Sequence, residues 1–410
     1  MYTPARLLRL FVILTIPFFV LSTSSCRNKH KKTAQGVFDN KRFDEDDVAD
    51  EITKYYENKQ FNDSAWTKDK IHTVADVMFS TYRTYEYLPL WLNENGDTKA
   101  IEQFLKELND LQNDGLDPKR YNADQLQKSF ANVKMQKTPS AEMLAALDTS
   151  LTTSYLHAAH DLLFGAVSPK DADSLWFHTN DTTWTPEKVL EANLYERNQY
   201  PSLDSFRSRM PMYISLRKTR VHYTGLQKDN TLLQTKKTVT IGVPDSVTQY
   251  IVQKEVPWLQ TDGNDTLSSA GQWLKAYQQY YGLKATGKAD STTVAYLSRM
   301  PNDAAQQVDV NLERVRWMGQ NIEPLYILVN VPLMELFLRK DGHDEMHMNV
   351  VVGKSIRQTP SLNAKMVNVV VNPPWGVPPT ILKKDIGPGI ARSGAAAYLG
   401  KKGLKAYDAK

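Results

Sequence analysis

The dipeptide Asp341-Gly342, set between alternating segments, constrains the fold more than any other local feature of the chain. A two-residue type I′ turn needs positive φ at both central residues, and Asp-Gly accepts this at low cost. The flanking runs are therefore expected to pair as an antiparallel hairpin. Before the turn lie two strand-like runs, Tyr326–Val331 and Met334–Arg339. After it, Met346, Met348, Val350 and Val352 alternate with His347, Asn349 and Val351, the period of a half-buried strand. Gly353-Lys354-Ser355-Ile356-Arg357-Gln358-Thr359-Pro360 follows, then a further expected strand over Met366–Val371 and the proline-rich Asn372–Pro379.

Upstream, the apolar period changes from two to three or four. Val74, Val77, Met78, Tyr82 and Tyr85 share one helical face, and Pro89 is expected to stop that helix. Asn95-Gly96-Asp97 reads as a turn leading into the next helix. Ile101, Phe104, Leu105, Leu108 and Leu111 mark that helix, with Gly115 closing it. The clearest helix runs over Ala141–Phe164, with Leu144, Leu147, Leu151, Tyr155, Ala158 and Leu162 facing inward, Ser140 as cap and Gly165 as stop. Leu190, Leu194, Leu203, Phe206 and Met210 suggest more helix beyond it. His157 and His160 lie one turn apart with Asp161 beside them. A shared metal would need a third ligand at suitable spacing; without one, the pair reads as the edge of a core-facing helix.

Residues 241–302 carry shorter helical signals. Val243-Pro244-Asp245-Ser246 reads as a cap and first turn. Ala270, Trp273, Leu274, Tyr277 and Tyr281 form one face of a second helix, and Asp290 or Ser291 caps a third. Trp273 and Tyr277 read as core, and no binding residue is assigned here.

At the N-terminus, Arg6 and Arg9 flank a run from Leu10 to Leu21, shorter than the roughly 20 apolar residues of a bilayer span but suited to a signal peptide. It ends in Leu21-Ser22-Thr23-Ser24-Ser25-Cys26. Small residues before a lone cysteine resemble a lipobox, although Thr23 stands where leucine is usual; plain signal-peptidase cleavage nearby is the other reading. With Cys26 as the one cysteine, an intramolecular disulfide and a cysteine-rich metal site are both excluded. A net charge of +4 without a concentrated basic face argues against a nucleic-acid partner. The charge runs in Arg27–Lys32 and Asp44–Asp47 read as solvated linker.

The order of strand, hairpin, "VVGKSIRQTP", strand and "NPPWGVPP" resembles the start of the catalytic domain of the large murein L,D-transpeptidases. "TYRTYEYLPLWL", "LNDLQNDGLDPKRY" and "LDTSLTTSYLHAAHDLLFGAVSPKDAD" resemble the scaffold domain of the same enzymes. "LSSAGQWLKAYQQYYGLKATGKADSTTVAYL" is similar to a three-helix peptidoglycan-binding module, with Tyr277-Gln278 in place of the usual Phe-Gln. Asn311–Met318 matches the connector into the catalytic domain and is expected as a short helix.

The resemblance implies an α+β multidomain chain. Its expected parts are a leader (1–26), a tether (27–47), a helical scaffold (48–240), the small module (241–302), a connector (303–325), and the first part of a mainly-β catalytic domain (326–410). It also implies acyl transfer between peptidoglycan stems, in which a thiolate attacks a carbonyl, a histidine takes the thiol proton and backbone amides hold the oxyanion. No cofactor or metal is implied. Expected partners are glycan strands and stem peptides, with a membrane contact through an acylated Cys26 and a periplasm-facing location. In the family, the catalytic histidine and a Ser-His-Gly-Cys-x-Arg segment lie downstream of "NPPWGVPP", and no His or Cys follows Trp375 here. His343 and His347 have no thiol partner nearby in sequence. The expectation is therefore an incomplete catalytic domain, inactive alone, with a non-catalytic peptidoglycan-binding lipoprotein as the alternative. Trp375 and Arg357 are the candidate cleft residues, one for stacking and one for a stem carboxylate; packing in a rigid turn and simple exposure are the competing readings.

Overall fold

A computed structural model describes residues 42–57, 74–94, 96–177, 202–260, 267–319, 322–374 and 376–407. Cys26, Trp375, Asn95, and the helical signals at Leu190 and Leu194 lie outside the described residues. The described residues divide into two units, 42–172 with 202–351 and 173–177 with 352–407. The fold is α+β, helix-rich before residue 319 and with a small antiparallel sheet in the C-terminal region. No helix among the described residues is long and apolar enough to cross a membrane.

In the first unit, one apolar core gathers residues from Val48 to Phe206 and a second gathers residues from Met210 to Val315. The first is built from α1 (Glu45–Glu57), α2 (Val74–Thr84), α3 (Lys99–Asp110), α4 (Ala123–Met135) and α5 (Ala141–Phe164). α5 is its centre, burying Leu144, Leu147, Leu151, Tyr155, Ala158 and Leu162. Ser140 accepts from the Met143 N–H at its start, and its last turn closes on Gly165, as the spacing predicts. The helix expected to stop at Pro89 in fact ends earlier. Glu86 and Tyr87 take left-handed φ of 52° and 63°, and the Tyr87 N–H closes on the Tyr82 carbonyl at 2.7 Å.

Gly115 follows α3 and a 3₁₀ turn, Leu111–Asp114, with φ of 71°. A Cβ at that position would stand 2.8 Å from Asp309 Oδ1 and 2.9 Å from Asp309 Cα, so close approach and backbone conformation both require glycine.

The second core joins α6 (Pro211–Leu226), α7 (Asn230–Lys236), α8 (Ser246–Glu255), α9 (Ala270–Tyr280), α10 (Ser291–Leu297) and α11 (Pro301–Arg316). Asp245 and Asp290 cap α8 and α10, and Ser269 with Gln272 forms a full capping box at α9. The short helix expected over Asn311–Met318 is the second half of the longer α11, which begins with Pro301 in its first turn. Proline there removes an N–H that has no intrahelical partner anyway. α6 and α11 pack together, burying Tyr213, Tyr223, Val308, Leu312 and Val315.

Candidate active-site region

The hairpin forms as the turn chemistry predicts. β1 (Leu325–Asn330), β2 (Glu335–Lys340) and β3 (His343–Asn349) make a three-stranded antiparallel sheet in the order β1-β2-β3. Asp341 and Gly342 at the turn have φ of 50° and 84°. The register pairs Ile327 with Leu338 and Leu338 with Met346, and it pairs Val329 with Leu336 and Leu336 with Met348. These side chains therefore share one face, and a shift between Leu338 and Arg339 adds a bulge near the turn. On the other face the Phe337 and His347 rings stack at 4.7 Å, with His347 Nε2 3.5 Å from Glu335. Arg339 bonds Asp344 at 2.5 Å across the hairpin, and that bond holds the guanidinium above its ordinary value. None of these groups is a nucleophile.

In the second unit the backbone after Val352 closes into a tight loop. The Gly353 N–H donates to Thr359 Oγ1 at 2.8 Å, and the Arg357 N–H donates to the Lys354 carbonyl at 2.7 Å. A Cβ on Gly353 would lie 2.0 Å from the Arg357 carbonyl oxygen, so only glycine closes the loop. The loop presents Arg357 to solvent as one half of a forked ion pair with Asp385, Nη2 to Oδ1 at 3.0 Å and Nη1 to Oδ2. The Arg357 hydrogen bond holds the Asp385 carboxyl below the usual range. Asp385 lies in a π-type turn, Leu382–Ile386, that leads into α12 (Gly387–Ser393) and α13 (Ala395–Lys402). The segment expected as a strand over Met366–Val371 forms no strand, with Val367 86% and Val371 81% exposed. A strand exists only with a ladder partner, and no described segment pairs with this one. Ser361–Leu362 instead pairs in parallel with Trp176–Phe177, a contact the sequence period does not signal.

The helical part of the first unit holds buried polar clusters that sequence reading missed. The Asp148 carboxylate accepts from Tyr82 Oη at 2.6 Å and from the Leu90 and Trp91 N–H groups at 3.0 and 2.8 Å. Asp161, beside the two α5 histidines, accepts from Tyr121 Oη, Arg120 Nε and His160 Nδ1 at 2.9, 2.8 and 3.1 Å. Both histidines face solvent, and burial of part of the His157 ring keeps it below its ordinary value. Among the described residues, no group of three or more His, Cys, Asp or Glu side chains is arranged to hold a metal ion. An acidic residue on the inward face of an apolar helix was the available signal for Asp148 and Asp161. These buried clusters organise backbone and ring positions.

Comparison with known proteins adds three likenesses. Residues 76–219 match the family described as Scaffold domain, and residues 324–404 match the L,D-transpeptidase catalytic domain. A Haemophilus influenzae protein that carries the provisional name L,D-transpeptidase is 32% identical over 87 residues. That alignment takes in 21% of this chain and 17% of the relative, so the matched stretch spans well under two thirds of the relative's length.

Proposed function

The chain belongs to the L,D-transpeptidase family, and from that membership we propose that it serves peptidoglycan cross-linking in the cell envelope. The observation that carries the reading is the continuous match over 324–404. It takes in the hairpin, the closed Gly353–Thr359 loop and the Arg357–Asp385 pair. The family chemistry is thiolate acyl transfer, yet no cysteine occurs between Arg27 and Lys410. These residues are accordingly assigned to holding and presenting substrate, not to attacking it.

Arg357 suits a stem-peptide carboxylate. Its guanidinium already holds the Asp385 carboxylate by two nitrogens, the geometry a substrate carboxylate would use. An exposed pair of this kind is worth only about 0–1 kcal/mol, so exchange of one carboxylate for another is cheap. Trp375 is proposed as a stacking residue for the stem peptide, and Cys26 as the acylation point that tethers the chain to a membrane, facing the periplasm.

One observation favours a second reading, a peptidoglycan-binding lipoprotein without catalysis. Cys26 follows Ser22–Ser25 at the end of an apolar run, the setting in which a cysteine is acylated. The purified chain separates the readings when incubated with a carbapenem and with disaccharide-tetrapeptides. We expect no covalent adduct by intact mass, no cross-linked dimer, and co-sedimentation with sacculi. A thioester adduct would overturn the substrate-holding assignment. Failure to sediment would remove both the substrate-holding and the binding-lipoprotein readings.

A further inference from the structure

We propose that the second unit, 173–177 with 352–407, carries a basic docking surface for an anionic phospholipid bilayer, a contact that goes beyond the peptidoglycan chemistry above and does not depend on it. Its described residues hold nine Lys or Arg side chains against two carboxylates, Asp173 and Asp385, a net charge of +7. The chain as a whole is only +4, so everything outside these residues sums to −3. The small overall charge conceals a sharp separation of sign. Seven of the nine cations are lysines, whose mobile point charges suit a diffuse headgroup layer better than the planar fork of arginine does.

The folding of the unit gathers these charges. Lys383 and Lys384 lie in the Leu382–Ile386 turn, Arg392 in α12, Lys401 and Lys402 in the last turn of α13, and Lys405 just after it. Turn and helices pack as one corner: the Tyr398 ring of α13 lies on Gly389 of α12, and its hydroxyl donates to the Asp385 carbonyl at 3.4 Å. The Arg357–Asp385 fork ties the Gly353–Thr359 loop, with Lys354, to the same corner. That fork occupies Asp385, whereas the lysines of the unit are all exposed and form no ion pair among the described residues.

What stands among the lysines decides the occupant. Ile356, Leu382 and Tyr407 are 83%, 50% and 84% exposed, and each lies within two positions of a lysine. A soluble polyanion gains nothing from apolar side chains. A bilayer surface uses both, since headgroup phosphates meet the ammonium groups while apolar side chains enter the boundary between headgroups and acyl chains.

The test is lysine acetylation footprinting of the full chain, carrying Cys26→Ser so that no acyl group contributes, on vesicles of phosphatidylcholine alone or with phosphatidylglycerol added. Any attachment through the Leu10–Leu21 run is common to both vesicles, so the difference between them reads the basic surface. We expect Lys383, Lys384, Lys401, Lys402 and Lys405 to react severalfold more slowly on the anionic vesicles, with Lys106 and Lys128 of the first unit unchanged. Salt at about 0.5 M should abolish the difference. Each cation near such a surface changes the docked-to-free ratio about fivefold. Lys401→Gln/Lys402→Gln/Lys405→Gln should therefore lower that ratio about a hundredfold and leave Lys383 and Lys384 unprotected. Ile356→Ser/Tyr407→Ser keeps every charge and should still weaken the protection. All these positions are exposed, and the helical circular dichroism of each variant checks that the fold is kept. Equal acetylation on the two vesicles would overturn the surface. Full protection retained by the serine pair would overturn it as well, and so would equal protection by long-chain polyphosphate or by sacculi in place of the anionic lipid. The sedimentation with sacculi described above is read separately, so failure here leaves the peptidoglycan reading standing.

Discussion

Arg207 donates to the carboxylate of Asp114 at 2.9 Å, deep between the turn that follows α3 and the chain leading into α6. Asp114 is fully buried, and it also accepts from Arg217 Nε at 3.0 Å and from Tyr213 Oη at 2.9 Å. One carboxylate thereby links the side of the molecule built on α3 to two positions of α6. Removing it leaves the nearly buried Arg207 cation without its deepest partner, and that loss dominates over the pair's own net worth. Asp114→Ala should lower unfolding free energy by about 3–5 kcal/mol in urea titrations. Asp204, which also pairs with Arg207 but is 75% exposed, should cost less than about 1 kcal/mol when replaced by alanine. Equal losses for the two variants would show that burial is not what makes Asp114 matter.

Asp148 gives the scaffold a pH dependence of known sign. Burial raises its carboxyl to about 6, against lowering by the Tyr82, Leu90 and Trp91 donors. Because the folded value lies above the unfolded one, the native state holds the proton more tightly between about pH 4 and pH 6. The group's contribution is then fully present below about pH 4 and is lost as pH rises through 6. Asp148→Asn cannot titrate. The stability of the parent relative to this variant should fall by on the order of 1–3 kcal/mol from pH 4 to pH 7. A difference that stays flat over that interval would rule the effect out.

Lys236 and Glu255 form a second buried link, 2.7 Å apart with side chains 0% and 4% exposed. Lys236 also donates to the Leu297 carbonyl at 2.6 Å, and Tyr277 donates to Glu255 at 3.2 Å. Burial lowers the lysine and raises the glutamate from their ordinary values. Each ion is tolerable only beside the other. Lys236→Met alone should cost about 3–5 kcal/mol, whereas adding Glu255→Leu should restore much of that loss, because no isolated charge remains. A thermodynamic cycle over the four proteins measures the coupling. Additive single effects would contradict a paired role.

Elements whose cause is local could be read from the sequence. Ser140, Asp245 and Asp290 each bond the backbone they precede, and Asp341-Gly342 turns the hairpin through its own backbone preference. What depends on distant partners could not. Asp114 meets Arg207 and Arg217 from about a hundred positions away, and Arg357 meets Asp385 from 28 away. Periodicity carries no information about such meetings. The Met366–Val371 segment fails for the same reason: its β propensity is strong, but a ladder needs a neighbour, and propensity does not supply one. Arg357 as a candidate came from its setting in a recognised segment; its forked presentation by a glycine-closed loop came only from the fold.

Opening under protease should follow burial. Every described side chain of β1, β2 and β3 is at least partly exposed, and residues Asn363 to Val371 are exposed and belong to no helix or strand. Local unfolding there disrupts few apolar contacts, so its free energy is far below that of the helical cores. α5, by contrast, buries side chains along its whole length. Among tryptic sites in the described residues, Lys354, Arg357 and Lys365 should therefore be cut before any site flanking α5. Mass spectrometry of a short digestion would then show loss of the region after about Val352 while fragments spanning α5 stay whole. The Arg357–Asp385 pair engages the guanidinium that trypsin must bind and should slow the cut at Arg357 slightly relative to Lys365, and Asp385→Asn should erase that lag. Protection of Lys365 equal to that of α5 would mean that the Met366–Val371 segment finds a ladder partner in solution, for example in a second copy of the chain.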